Sequence, residues 1–187
     1  MKKKSNKIET ILNEATRLLQ NEGDFSVTMR KVAQLCEMSL SNLQYYFKNK
    51  DELLKAVADR YFKQCLQGLK EYPLVTSEDD LKSFIAEQFS LVIDVSDMCR
   101  IFREYWAIST RNAEIESYLT DYYSKVVEEL ADKLKPIAKD EECLAGAITI
   151  LISLVEGYSV TAQSMPIDHD SMVELTHKTA LNILQTT

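Results

Sequence analysis

Apolar residues recur along this chain at the three- and four-residue spacing of amphipathic helices. The first stripe runs from Ile8 to Glu22 and stops at Gly23, a residue that commonly ends helices. Further stripes cover residues 51–72, 77–95, 114–135, 140–164 and 171–185, and another begins at Asp97. With 4 Gly and 3 Pro in 187 residues, the composition also favours long helices over sandwiches and barrels. We therefore predict an all-α fold of about nine helices.

The stretch from Thr28 to Lys50 is predicted to form two short helices joined by a tight turn. Its apolar residues are Val32, Leu35, Met38, Leu43, Tyr46 and Phe47. This spacing fits two helices broken near residues 36–38 better than one long helix. Thr28 and Ser39 stand where a hydroxyl can cap each helix by accepting a bond from an unpaired backbone N–H. The pattern indicates a helix-turn-helix.

The second helix of this motif has two different faces. At about 100° per residue, the apolar residues Leu43, Tyr46 and Phe47 share one face, and Ser41, Tyr45 and Lys48 lie on the other, with Asn42 and Gln44 on the flanks. One face suits a core and the other suits a DNA groove. We expect Gln44 to pair with adenine, because its amide matches the adenine donor and acceptor.

The charge distribution supports a DNA-binding amino-terminal end. The net charge of the chain is −7, which by itself argues against nucleic acid. Residues 1–50, however, carry 9 Lys and Arg against 5 Asp and Glu, leaving 13 against 24 for the rest. A basic end on an acidic body is typical of a DNA-reading module joined to a second function.

Other classes of protein are disfavoured. The four Cys are widely spaced without a Cys-x-x-Cys pair, so neither zinc nor a disulfide framework is indicated. His169 and His177 are eight residues apart, too far along a helix to share a metal. No motif of a catalytic nucleophile or phosphate loop is present, and the longest uncharged apolar run, residues 143–155, is too short to span a bilayer. We expect a cytoplasmic protein without enzyme activity, metal, cofactor or membrane partner.

A longer run makes the motif specific: Leu43-x-x-Tyr46-Phe47-Lys48-Asn49-Lys50-Asp51-Glu52-Leu53. Over about residues 8–55 the sequence resembles the TetR family of bacterial transcriptional regulators. The resemblance implies a helix-turn-helix DNA-binding domain over residues 1–50 and a helical ligand-binding and dimerisation domain over residues 51–187. It also implies a repressor on a palindromic operator of double-stranded DNA.

Three positions depart from the family pattern. Glu37 stands where the family usually has a turn glycine, Ser41 where a second glycine is common, and Leu40 where a lysine is frequent. A non-glycine residue in the left-handed conformation costs roughly 1–2 kcal/mol. We expect Leu40 to meet a thymine methyl group rather than a phosphate.

The predicted DNA-binding residues come from the motif and its flanks. They are Thr28, Ser39, Leu40, Ser41, Asn42, Gln44, Tyr45, Lys48 and Lys50. Ser41, Asn42, Gln44 and Tyr45 are expected to read bases, and Thr28 and Lys48 to contact phosphates. The resemblance gives Lys50 a phosphate contact as well, and the alternative is an ordinary surface lysine. The basic arm of residues 2–7 is either a solvated tail or a second phosphate contact.

The helix predicted over residues 140–164 has almost no polar face, so it must be covered on both sides. The resemblance implies that the last two helices pair with their copies in a second subunit. The predicted interface residues are Ile148, Ile152, Val155, Ala180 and Leu184.

An aromatic-rich region between residues 84 and 122 is compatible with an effector pocket and equally compatible with plain core packing. The resemblance favours the pocket. Candidate ligand-binding residues are Phe102, Arg103, Trp106, Tyr122 and Glu156. The alternative function is a dimeric DNA-binding regulator without a small-molecule ligand, controlled by a protein partner or by its abundance.

Overall fold

A computed structural model describes the backbone of residues 2–93 and 97–185, and the side chains of residues 6–91 and 99–185. Over these residues the chain forms nine α-helices and no strand, which confirms the all-α prediction. The helices are α1 (Lys2–Glu22), α2 (Met29–Leu35), α3 (Leu40–Tyr46), α4 (Lys50–Glu71), α5 (Glu78–Ile93), α6 (Asp97–Ser109), α7 (Ala113–Leu134), α8 (Glu141–Thr161) and α9 (His169–Gln185). Single 3₁₀ turns cover residues 24–26, 135–137 and 162–164.

Most predicted helix ends lie within a few residues of those observed. The largest difference is at α1, which begins at Lys2 and not at Ile8. The predicted basic arm therefore has a helical backbone from residue 2, although the side chains of residues 2–5 lie outside the described residues. The predicted end of the fifth helix at Val95 also lies outside them.

The helices form two compact units. The first comprises the chain up to Cys65 together with Arg100–Tyr122, and the second comprises Leu66–Cys99 together with the chain from Tyr123. These units group residues by packing, so helices α6 and the first part of α7 join the amino-terminal helices. The functional division at residue 50 stays a prediction.

The first unit is built around the apolar stripe of α1. Its buried side chains include Ile11, Ala15, Leu18 and Leu19 of α1, Val32 and Ala33 of α2, Leu43 of α3, and Leu53, Leu54 and Phe62 of α4. Ala33 is 3% exposed and Leu43 is fully buried, so a small residue lies where α2 and α3 cross. The apolar face predicted for the second helix of the motif is thus the core face of α3.

The turn between α2 and α3 has a left-handed residue. Glu37 has φ 51°, and the hydrogen bonds Met38 N to Ala33 O and Glu37 N to Gln34 O close the end of α2. This bond pair is the Schellman motif, in which glycine normally holds the left-handed position. The turn therefore keeps the geometry of the motif while Glu37 carries the conformational cost of its side chain.

The second unit is a bundle in which α9 packs on both α5 and α8. Its core contains Leu81, Phe84, Ile85 and Phe89 of α5, Ala147, Ile148 and Leu151 of α8, and Met172, Val173, Ala180 and Leu184 of α9. A Cβ at Gly146 would lie 3.1 Å from Ile183 Cγ2, so the Ile183 side chain on α9 would have to shift by a few tenths of an ångström. The two helices therefore lie close together at this point.

Helix α8 has more apolar surface than the core of one chain covers. Over the described residues, the segment Glu141–Ser164 is long and apolar enough to cross a membrane by length and composition, and 22% of its most apolar window is buried. The uncharged run of residues 143–155 on which the sequence-based prediction rested is shorter than this segment, which also includes Glu141, Glu142 and Glu156. Most of this apolar helix lies at the surface of the single chain.

We expect Glu37→Gly to stabilise the protein by about 0.5–1 kcal/mol, because it removes the left-handed cost of roughly 1–2 kcal/mol and adds roughly 0.5–1 kcal/mol of chain entropy. Glu37→Ala is the matched control, since it removes the carboxylate and keeps the Cβ. Urea unfolding followed by circular dichroism measures both. Equal stabilities for the two variants would contradict the assignment of strain to this backbone position.

Candidate nucleic-acid interface

The outer face of α3 presents polar side chains to solvent. Ser41, Gln44, Tyr45 and Lys48 are all exposed, and the Tyr45 ring is 70% exposed. On the opposite face Leu43 is fully buried and Phe47 is 7% exposed. The core contacts fix the rotation of the helix, so these polar groups point away from the protein.

Both predicted caps are confirmed. The hydroxyl of Ser39 accepts a hydrogen bond from Asn42 N at 3.1 Å, and the hydroxyl of Thr28 accepts one from Lys31 N at 3.2 Å. A hydroxyl that accepts in this way still has its own hydrogen to donate. Since Ser39 and Thr28 are exposed, each can donate that hydrogen to a phosphate oxygen next to a helix amino terminus.

The flanking residues of α3 are less accessible. Leu40 and Asn42 are half-buried. They retain the exposed fraction that a contact with a base edge needs. After α3, Asn49 caps α4 by accepting from Glu52 N at 2.8 Å, and Glu52 in turn accepts from Lys48 N at 2.8 Å. The backbone at Lys48 is therefore held while its side chain is exposed.

Lys50 is placed differently from its neighbours. Its ammonium lies 2.7 Å from Asp24 Oδ1 and donates a 2.7 Å hydrogen bond to Asp24 O. The Lys50 side chain is 33% exposed and the Asp24 side chain 9%. A phosphate would have to compete with a buried carboxylate for this cation. The geometry thus favours an internal ion pair over the phosphate contact that the family pattern implies.

The aromatic residues of the first unit form a packed cluster around Phe62. The Phe62 ring centroid lies 4.4 Å from those of Phe102 and Tyr122, 5.5 Å from that of Tyr105 and 5.7 Å from that of Tyr118. The structure therefore brings two ligand candidates, Phe102 and Tyr122, together. It places the third aromatic candidate, Trp106, at the surface with 47% exposure.

The two polar ligand candidates belong to different units. Arg103 lies on α6 in the first unit and is half-buried. Glu156 lies on α8 in the second unit, where it accepts a 2.6 Å hydrogen bond from the hydroxyl of Tyr123. Burial raises the pKa of the Glu156 carboxyl, and the Tyr123 hydrogen bond offsets part of that rise. Glu156 is thus a partly buried acid that accepts a hydrogen bond from a tyrosine hydroxyl.

The predicted interface residues divide into core and surface. Ala180 and Leu184 are fully buried and Ile148 is 4% exposed within one chain, so they have no surface to offer a second copy. Their apolar character serves the core of the second unit instead. Ile152 and Val155 are half-exposed and remain available.

A different set of α8 residues forms the open face. Ala145, Thr149, Ser153, Gly157 and Val160 recur at three- and four-residue spacing and are all exposed. A Cβ added at Gly157 would meet nothing within 4 Å. On this side α8 presents small side chains that allow close approach of another helix.

Comparison with known proteins identifies the family. Residues 11–57 match the family model described as bacterial regulatory proteins, tetR family. Over 176 residues, the chain is 48% identical to an HTH-type transcriptional regulator in the dhlA 5′ region of Xanthobacter autotrophicus, with 92% of this chain and 87% of that protein covered. This chain belongs to the TetR family of bacterial transcriptional regulators. TetR-family regulators bind DNA and are not enzymes.

One more distant relative and one structural neighbour have names that mention a small molecule. The chain is 24% identical over 169 residues to the HTH-type nicotine-responsive transcriptional repressor HdnoR of Paenarthrobacter nicotinovorans, covering 86% of this chain and 85% of that one. A transcriptional regulator from Saccharomonospora viridis, solved in complex with choline, shares the TetR fold. Its TM-score is 0.75 at 18% identity, with 93% of this chain and 95% of that chain covered.

Sequence reasoning missed three residues that the TetR fold brings into play. Phe62 lies at the centre of the ring cluster, and its spacing of four and eight residues from Ala58 and Leu54 on α4 was a usable signal. Asp24 and Arg111 form a 3.0 Å ion pair across 87 positions. A pair so distant in sequence leaves no local pattern.

Proposed function

We propose that this TetR-family regulator is a cytoplasmic homodimeric repressor that binds a palindromic operator and is released by a small, largely apolar or aromatic effector. The observation that carries the proposal is the exposed polar face of α3. Ser41, Gln44 and Tyr45 stand on it together, with a hydroxyl cap at its start. This is the arrangement with which a recognition helix contacts base edges in the major groove.

The open face of α8 supports the homodimer. In a single chain, the apolar helix α8 and its row of small exposed residues leave apolar surface in contact with water, which is unfavourable. A second copy, related by a twofold axis, covers the same surface on both chains. Two recognition helices placed in this way require an operator with matching twofold symmetry.

The proposal of an effector is supported by the names of two similar proteins and by the aromatic side chains of the first unit. One relative is named as a nicotine-responsive repressor and one structural neighbour was solved with choline. The rings of Phe62, Phe102 and Tyr122 supply an apolar surface of the kind that small-molecule sites use.

The close packing of the same rings favours the second candidate, a dimeric regulator without a small-molecule ligand. Ring centroids at 4.4 Å leave no room between Phe62 and its two neighbours in this conformation. An effector would have to separate them.

We expect Gln44→Ala to relax base preference at one position in each half-site by about 1–3 kcal/mol, because the bidentate amide is lost. Lys48→Ala is the matched comparison, and it should weaken all sequences alike and reduce the salt slope by about 0.9 per phosphate lost. Fluorescence anisotropy with operator variants at several salt concentrations measures both effects. Identical losses and slopes for the two variants would contradict the assigned roles.

We expect Gly157→Arg to dissociate the dimer, since the new side chain has open space within its own chain and blocks the approach of a second α8. Gly68→Arg is the matched control, because Gly68 is also helical and its Cβ would also meet nothing within 4 Å. Sedimentation velocity should give a species of the 21.4 kDa chain mass for the first variant and twice that mass for the second. A dimeric Gly157→Arg protein would exclude this face of α8 as the interface.

We expect an effector to change the fluorescence of Trp106, the lone tryptophan of the chain, at the same concentrations at which it releases operator DNA. A tenfold loss of operator affinity requires about 1.4 kcal/mol of coupling between the two sites. The test titrates a panel of hydrophobic and aromatic compounds and examines the purified protein by native mass spectrometry. If no compound changes either signal and no ligand is carried, the ligand-free candidate is correct.

A further inference from the structure

Asp24, in the 3₁₀ turn before α2, is held by three different residues. Its Oδ1 lies 2.7 Å from Lys50 Nζ, its Oδ2 accepts a 3.0 Å hydrogen bond from Arg111 Nη2, and its backbone N–H donates a 3.0 Å hydrogen bond to Glu104 Oε2. The residue is 7% exposed. We call the Asp24 carboxylate together with the Lys50 and Arg111 cations the junction. Because its carboxylate is buried, the junction is not a surface ion pair.

The two cations keep the junction charged. Burial alone would raise the pKa of the Asp24 carboxyl, but the hydrogen bonds and charges of Lys50 and Arg111 outweigh burial and lower it. The carboxylate is therefore ionised at neutral pH.

Arg111 is itself fixed from two further directions. It lies in the turn between α6 and α7, where its Nη1 donates a 2.7 Å hydrogen bond to Ala107 O. Its guanidinium lies over the Phe25 ring, 5.0 Å from the ring centroid, and Phe25 is 83% exposed. The cation–π contact gives this exposed aromatic ring a physical role.

The next residue ties the same turn to α4. Asn112 caps α7 by accepting from the backbone N–H groups of Glu114 and Ile115 at 3.1 Å. Its amide also donates a 2.7 Å hydrogen bond to Asp51 Oδ1, in the first turn of α4. The α6–α7 turn therefore contacts the chain just before α2 and just after α3.

Asp24 and Lys50 thus flank the helix-turn-helix on its two sides, and Arg111 joins them to the α6–α7 turn. We propose that Arg111 is a positioning residue for DNA recognition, which acts through Asp24 and Lys50 to set the orientation of α2 and α3. In this proposal Lys50, together with Arg111, binds Asp24 and does not contact phosphate. The inference rests on the proposed operator binding, because it concerns how well α3 meets its bases.

The experiment compares Arg111→Gln with Glu114→Gln. The control breaks the Lys55–Glu114 ion pair, a 2.6 Å contact between α4 and α7 whose side chains are 38% and 64% exposed. One measurement is hydrogen exchange of the α2 and α3 amides without DNA. The other is affinity for operator and for random DNA across a range of salt concentrations.

For Arg111→Gln we expect faster exchange in α2 and α3 and a loss of about tenfold in the ratio of operator to random affinity, within the usual range of coupling between sites. The salt slope should not change, because Arg111 meets no phosphate. Glu114→Gln should match the wild type in all three respects. Arg111→Lys retains the charge and the stem, and is judged by the same criteria if Arg111→Gln does not fold.

Three results would overturn the inference. Unchanged exchange means that Arg111 does not hold the motif, and unchanged discrimination with faster exchange means that the junction serves stability alone. A smaller salt slope means that Arg111 contacts phosphate directly. If wild-type protein fails to discriminate operator from random DNA, the proposed function fails, whereas the exchange measurement still decides whether Arg111 holds α2 and α3.

Discussion

The helix-turn-helix depends on one backbone conformation, the left-handed turn at Glu37. This turn lets α2 end with both hydrogen bonds of its Schellman motif and places Ser39, two residues later, as the N-cap of α3. The close crossing of α2 and α3 follows, with Ala33 small enough to permit it and Leu43 filling the space beneath. The direction of the polar face of α3 is therefore set by the turn and by the buried contacts on the opposite side of the helix.

Local signals in the sequence predicted the elements well, because their causes lie within a few residues. The caps at Thr28 and Ser39 each join a side chain to a backbone N–H three positions on. The alternation of apolar and polar positions on α3 likewise fixed which residues are buried. For these features, residue type and spacing contain nearly all the physics.

Contacts between distant residues were beyond such reasoning. Apolarity indicated that Ala180 and Leu184 are covered, but it does not distinguish the core of one chain, where they lie, from the interface between two chains for which they were predicted. The family pattern gave Lys50 a phosphate, whereas the position of its ammonium is decided by Asp24, 26 residues away. The arrangement of the rings around Phe62 likewise depends on how α4, α6 and α7 pack, which no single stripe encodes.

The open row of small residues on α8 bears on how operator occupancy depends on the concentration of the regulator. A surface that is covered only by a second copy makes the DNA-binding species depend on the square of the chain concentration when dimers are scarce. Under the proposed dimer, operator occupancy then rises more steeply than copy number. At chain concentrations too low for dimers to form, the operator would stay unoccupied. A modest increase in expression would then be enough to repress the gene.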